Sequence, residues 1–280
     1  MTTTASFTKQ TLDVPGARLY YEVRGAGPVL LMMPGGPADA TTFRSIENTL
    51  AERYRVVTYD PRDLSHSSIL EPTDDARMVQ IYADDAHRLL REAGGGKANV
   101  FASSGGATIA LELIRTHSDE LDTVICHEPP TPLFQPDPAA TLAGMEDVCD
   151  TCEREGIFPA MQKFMVLIGV QGGPPAPSGG EPTPEEQEAM AMMKKNFAYF
   201  FGRYIRNLAR YVPDVEALRT CSCRIVPAVG EESEGQLAHR GGLGLARALG
   251  VQPVVFAGDH GGFAGRPAEF STKLLQVLAS

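Results

Sequence analysis

Short, continuous apolar runs recur along the chain, each closed by a turn signal. Val29–Met33 runs into Pro34-Gly35-Gly36-Pro37, Val56–Tyr59 into Asp60-Pro61, and Leu121–Cys126 towards Glu128-Pro129-Pro130. Asn99–Ala102, Arg224–Val229 and Pro253–Phe256 have the same character. A strand covered on both faces leaves this signature, because neither set of alternating side chains meets water. Between the runs the apolar spacing turns helical. Phe43–Tyr54 places Phe43, Ile46, Leu50 and Ala51 on one face, and Met78–Ala93 does so with Ile81, Ala86, Leu89 and Leu90 before Gly94-Gly95-Gly96 stops it. Ala107–Ile114, Gly235–Leu249 and Pro267–Leu278 are further helices by the same spacing. Near the start, Thr11–Val14 and Arg18–Val23 flank Pro15-Gly16, which predicts an antiparallel pair.

Strands of the buried type alternating with helices predict an α/β fold, with a mostly parallel central sheet and helices on both faces. The rhythm breaks after Pro130. Residues 131–220 contain no clear buried strand, but do contain predicted helices over Pro138–Glu155, Pro159–Ile168 and Glu185–Arg210. Gln171–Thr183, rich in glycine and proline, reads as a mobile loop. The expectation is a core domain formed by 1–130 and 221–280, with 131–220 inserted as a helical cap.

Composition narrows the function classes. With 280 residues, 43% hydrophobic and 21% charged, the chain can bury a sizeable core. A formal net charge of -10 disfavours nucleic acid and anionic membrane surfaces as partners, which leaves a small molecule as the expected partner and says nothing about oligomeric state. MTTTASFTKQ has no basic segment followed by an apolar one, and the five cysteines are odd in number. Both point to reduced thiols in a cytoplasm. Cys149, Cys152, Cys221 and Cys223 could in principle form a four-thiolate metal site, but their spacing fits zinc motifs poorly, so buried or surface thiols are expected instead.

The chemistry centres on Val100-Phe101-Ala102-Ser103-Ser104-Gly105-Gly106-Ala107. A strand runs into Ser104 and a helix starts just after it, with small residues two positions to either side. A nucleophile on a sharp strand-to-helix turn needs that arrangement, because bulky neighbours would collide. The helix N-terminus then aims free N–H groups at the reaction centre. The segment resembles the G-x-S-x-G nucleophile elbow, with Ala102 for the first glycine. With the strand order around it, the chain resembles the α/β-hydrolase superfamily, and more narrowly the actinobacterial-type hydrolases whose elbow reads V-F-G-S-S-G-G-A.

The resemblance implies an α/β-hydrolase fold and a triad in the chain order nucleophile, acid, histidine. Six histidines are present, and only His239 and His260 lie beyond the inserted region. His239 falls within a predicted helix. His260 sits in Gly258-Asp259-His260-Gly261-Gly262-Phe263, just past a buried strand, and this loop resembles the family's final G-x-H-G-G-F. The family's G-x-D aligns its acid with Glu232, with Glu231 as the neighbouring competitor. Glu128 is a third candidate, since some members carry the acid after the earlier strand. The backbone N–H groups of Gly105 and Gly36 are the implied oxyanion hole, in a loop where Pro34 replaces the usual histidine. Asp60–Ser67 resembles D-x-R-G-x-G-x-S, with Asp63 and Ser65 in place of two glycines. Asp tolerates the left-handed backbone that the first of these demands, and His66 is expected to be a loop residue with a structural role, with a place at the pocket edge as the alternative. Met193, Phe197, Phe201 and Tyr204 are the candidates for an apolar substrate pocket.

The expected activity is serine-dependent hydrolysis of an ester or lactone of a small apolar molecule through an acyl-enzyme, with no metal or organic cofactor. Carbon–carbon hydrolysis, cyclisation, peptide cleavage and ligand binding without catalysis are the alternatives. A serine at the elbow argues against the dehalogenase and epoxide hydrolase chemistries of the superfamily, which place aspartate there. The chain has no tryptophan, so an indole halide cradle is excluded.

Overall fold

The computed structural model describes residues 7–94, 96–170 and 183–280. All of Gln171–Thr183 except Thr183 lies outside the described residues. Strands β1 (Thr8–Val14) and β2 (Ala17–Arg24) form the antiparallel hairpin expected around Pro15-Gly16. Next come β3 (Val29–Met33), α1 (Arg44–Leu50), β4 (Arg55–Tyr59), the short β5 (Ser68–Ile69) and α2 (Met78–Ala93). Then follow β6 (Ala98–Ser103), α3 (Gly105–His117) and β7 (Leu121–His127). Helices α4 (Pro138–Glu155), α5 (Ile157–Ile168), α6 (Pro184–Tyr199), α7 (Ile205–Arg210) and α8 (Val215–Thr220) fill the stretch before β8 (Arg224–Gly230). The chain ends with α9 (Leu237–Leu249), β9 (Val254–Phe256), α10 (Gly262–Gly265) and α11 (Pro267–Ala279).

The sheet order is β1-β2-β4-β3-β6-β7-β8-β9, with β5 paired to β2, and every pair from β4 through β9 is parallel. Val29–Met33 and Ala98–Ser103 are buried throughout, as strands between two helical layers must be. Two apolar clusters result. One joins Leu30, Met32, Phe101 and Ile125 to α1 and α11. The other joins Leu31, Val100 and Val124 to α2 and α3, and continues into Phe200, Tyr204, Ile205, Leu208 and Leu218. The described helices between β7 and β8 therefore share their core with one face of the sheet.

The predicted helix Glu185–Arg210 is interrupted. Phe200–Tyr204 forms a π-helical turn between α6 and α7. Thr183 caps α6 through a reciprocal pairing with Glu186. The π-turn holds one extra residue, which rotates the following side chains relative to α6 and leaves Phe200, Phe201 and Tyr204 all buried.

The loop Asp60–Ser67 is tied down from several sides. Asp63 and Ser65 have φ of 64° and 46°, so both stand in the left-handed conformation for which the related motif uses glycine. Asp60 accepts hydrogen bonds from the backbone N–H of Ala40 and of His66, each at 2.9 Å or less. Arg62 makes a two-pronged bond to Asp85 at 2.6 and 2.7 Å, and both side chains are buried. Removing one partner strands the other charge away from water. We expect Asp85→Ala to lower unfolding free energy by about 3–5 kcal/mol, measured by urea denaturation at neutral pH. A loss below about 1 kcal/mol would mean that Arg62 finds another partner.

Candidate active site

Ser104 occupies the turn between β6 and α3 with φ 57° and ψ -127°. A residue with a side chain rarely adopts this backbone, and it persists only where its surroundings impose it. Here they do. The Ser104 N–H donates to the His127 carbonyl at 2.9 Å, and the Ser104 carbonyl accepts from the N–H groups of Ala107 and Thr108. A Cβ on Gly106 would lie 2.5 Å from the carbonyl oxygens of Met33 and Pro34, so only glycine fits two residues after the serine. Ala102, two residues before it, is fully buried, with room for a methyl group.

His260 follows β9, two strands beyond β7. Its Nδ1 lies 2.5 Å from Glu128 Oε2. Glu128 stands just after β7 with φ 51°, and its side chain is 0% exposed. Its other oxygen, Oε1, accepts from the Gly230 N–H at 2.9 Å and from the Ser233 hydroxyl. Burial works against the charge, but the bond from His260, the neighbouring imidazoles and the Gly230 N–H outweigh it and hold the carboxyl down at about 2.

The structure thus sets Glu128, and not the expected Glu232, against His260. Glu232 has a side chain 49% exposed and pairs with Arg266 at 2.9 Å. Glu231 is also exposed, and its Oε1 lies 3.5 Å from the Gly258 N–H. Glu128 holds His260 because β7 is the immediate neighbour of β6, so its end opens beside the serine turn. The family's more usual acid position, after β8, is occupied here by the groups that bind Glu128: the Gly230 amide and the Ser233 hydroxyl.

Ser104, Gly105, Gly36 and His260 all border one cavity of about 380 Å³. Phe197, Phe201 and Tyr204 line it as expected. Met193 does not, being 54% exposed on the outer face of α6. No Asp, Glu, Lys or Arg lines the cavity among the described residues. Tyr204 is 2% exposed, and a Cβ on Gly105 would come within 2.6 Å of its hydroxyl.

Asn196 was not legible as a site residue. Buried on α6, it donates to the Pro37 carbonyl at 3.1 Å and to the Ser65 hydroxyl at 2.9 Å, and accepts from the Ser65 N–H at 2.9 Å. Ser65 in turn donates to Asp39 at 2.6 Å. One amide side chain therefore ties Gly35-Gly36-Pro37 to the Asp60–Ser67 loop where the related motif uses a histidine. An Asn at that point of an otherwise ordinary helix carries no distinguishing spacing. Gly36 itself has φ 61°.

His127, Glu128 and His260 offer potential metal-ligand atoms within 4.8 Å of one another. Both Glu128 oxygens are already engaged and His127 is wholly buried, so the trio suits proton handling better than ion capture. Among the described residues no cluster of three or more potential ligands includes a cysteine, so the four-thiolate arrangement does not form.

A family model described as alpha/beta hydrolase fold matches residues 28–148. The chain is 34% identical over 275 residues to the "Uncharacterized hydrolase YraK" of Bacillus subtilis (strain 168), covering 96% of this chain and 95% of that protein. The chain belongs to the α/β-hydrolase family. This α/β-hydrolase is also 29% identical over 218 residues to a zearalenone hydrolase of Bionectria ochroleuca, with 76% of each chain covered. Its fold matches a thermophilic esterase from Thermogutta terrifontis with a TM-score of 0.70 at 20% identity over 98% of both chains. It also matches the enol-lactonase from Burkholderia xenovorans LB400 with a TM-score of 0.69 at 17% identity, over 97% of this chain and 100% of that one. It is a hydrolase. Among the described residues no helix is long and apolar enough to cross a membrane.

Burial of His127 sets a pH dependence of stability. Desolvation pushes its imidazole from 6.5 down to about 4. Below pH 6.5 the unfolded chain takes up a proton that the folded one refuses, so this stability is present above 6.5 and lost as pH falls towards 4. Wild type should lose about 2 kcal/mol more than His127→Gln between pH 7 and pH 5, read from urea denaturation of both. Equal losses would show that His127 is protonated in the fold.

Proposed function

We propose that this α/β-hydrolase cleaves esters or lactones of neutral, apolar small molecules through a covalent acyl-serine. The observation that carries the reading is the 2.5 Å contact between His260 Nδ1 and the buried carboxylate of Glu128, at the same cavity that Ser104 borders. With Nδ1–H committed to Glu128, the lone pair of Nε2 is left to accept the serine proton. Ser104 attacks the carbonyl carbon, and His260 takes the proton and later hands it to the leaving alkoxide. Glu128 fixes the tautomer and stabilises the imidazolium. The N–H groups of Gly105 and Gly36 receive the oxyanion, and a water deprotonated by His260 releases the acid.

The substrate class follows from the wall. A charged substrate would be stripped of water against a wall that carries no Asp, Glu, Lys or Arg among the described residues, whereas an apolar acyl or alkoxy group gains from the burial. The esterase, lactonase and zearalenone hydrolase relatives support the ester or lactone bond. Tyr204 offers a phenol that can hydrogen-bond to a bound substrate beside Gly105.

Steady-state hydrolysis of p-nitrophenyl esters and of aryl-substituted lactones tests the reading. Ser104→Ala should lower kcat by about 10³-fold or more, and Glu128→Gln by about 10²–10⁴-fold, with Glu232→Gln within about threefold of wild type. Full activity in Glu128→Gln with loss in Glu232→Gln would refute the assigned acid. No turnover of any ester or lactone by wild type would refute the substrate class. Asn196→Ala should lower kcat by about tenfold through a loosened Gly36 loop, with a smaller effect on KM. An unchanged kcat would remove Asn196 from the account.

A further inference from the structure

A second cluster of chemistry-bearing side chains lies at the end of α3 far from Ser104. Asp84 and His87 are three residues apart on α2, and His117 and Glu120 are three residues apart at the end of α3. On α2 the spacing places its pair on one helical face, while Glu120 stands in the short 3-10 turn Ser118–Glu120 that follows His117. Because α2 packs on α3, the two pairs meet. The His87 and His117 rings stack with centroids 3.6 Å apart and planes 9° from parallel. His87 Nε2 lies 3.2 Å from Glu120 Oε1, and His117 Nε2 lies 3.9 Å from Asp84 Oδ1. Ligand atoms of His87, His117 and Glu120 all fall within 4.8 Å of one another.

We propose that His87, His117 and Glu120, with Asp84 as a fourth ligand, bind a zinc-class divalent cation that pins α2 to α3. Two imidazoles and one or two carboxylates are a donor set for such an ion, and His87 Nε2 already stands 3.2 Å from Glu120 Oε1. His87 Nε2 is buried and makes no hydrogen bond, because the carboxylate oxygen stands off the direction in which a ring N–H would point. A polar atom in that state gains more from a ligand than one already satisfied. The carbonyl end of α3, where His117 lies, favours positive charge.

Binding carries one structural consequence. An ion must sit in the plane of each imidazole, and two parallel rings cannot both present their lone pairs to it. The rings therefore turn out of the stack as the ion enters. The site is remote from the reaction centre, since α3 begins beside Ser104 and His117 lies about 18 Å along its axis. The ion acts on stability and leaves the chemistry alone.

The test is isothermal titration of EDTA-treated, tag-free protein with ZnCl₂, paired with NMR of the histidine Cε1–H resonances. The expected result is one zinc per chain at micromolar or tighter affinity, shifted His87 and His117 signals, and a thermal midpoint raised by several degrees. His87→Asn/His117→Asn should weaken binding at least tenfold, as should the milder Glu120→Gln, whereas His260→Asn should bind zinc as wild type does. No binding up to about 1 mM zinc would overturn the proposal. So would binding unchanged in the double variant, or binding lost in His260→Asn instead, which would place the ion at His127, Glu128 and His260.

Discussion

A single contact organises the site: the buried Glu128 carboxylate against the His260 imidazole. A carboxylate with no exposed surface is stable only when its lone pairs are met. Glu128 meets them with His260 Nδ1 on one oxygen and with the Gly230 N–H and Ser233 hydroxyl on the other. That requirement draws together the ends of β7 and β8 and the loop after β9. The turn carrying Ser104 hangs from the same point, because its N–H is held by the carbonyl of His127, the residue before Glu128. Both Ser104 and Glu128 have positive φ. Strained backbone thus marks two neighbouring strand ends in the parallel part of the sheet, where it aims side chains over the strand ends instead of into either face.

The helices between β7 and β8 complete this arrangement. The π-turn at Phe200–Tyr204 presents three aromatic side chains to the cavity, one of them against Gly36 and one against Gly105. Asn196, about one turn earlier, holds the Gly36 loop from the same helix. The walls of the cavity and the brace of its backbone donors therefore come from one continuous stretch of helix, so a shift of α6 moves both together.

Much of the fold is legible in the sequence, because a strand buried on both faces leaves an unbroken apolar run and a covering helix leaves a 3.6-residue period. Val29–Met33 and Leu121–Cys126 are of the first kind, Met78–Ala93 of the second. The loops of Ser104 and His260, which the fold brings to one cavity, are legible because they need glycine around the side chain, and glycine leaves a pattern. The carboxylate that meets His260 leaves none. Glu128 and Glu232 both follow a buried strand, and what separates them is burial and partners that only the folded sheet provides: Gly230 and Ser233 for one, solvent and Arg266 for the other. Met193 fails for a related reason. Its spacing is helical, but the face of α6 that it occupies turns outward, and a run as apolar as 189–201 does not reveal which face is covered. The π-turn is equally silent, since an extra residue in one turn changes no local propensity.

The central claim is that this geometry makes Ser104, and not the adjacent Ser103, a nucleophile. Labelling with an alkyl fluorophosphonate, followed by peptide mapping by mass spectrometry, reads this directly, because only a serine activated by a base reacts readily. The account predicts one adduct per chain, on Ser104, lost in His260→Ala and strongly slowed in Glu128→Gln. An adduct on Ser103, or labelling at full rate in His260→Ala, would contradict it.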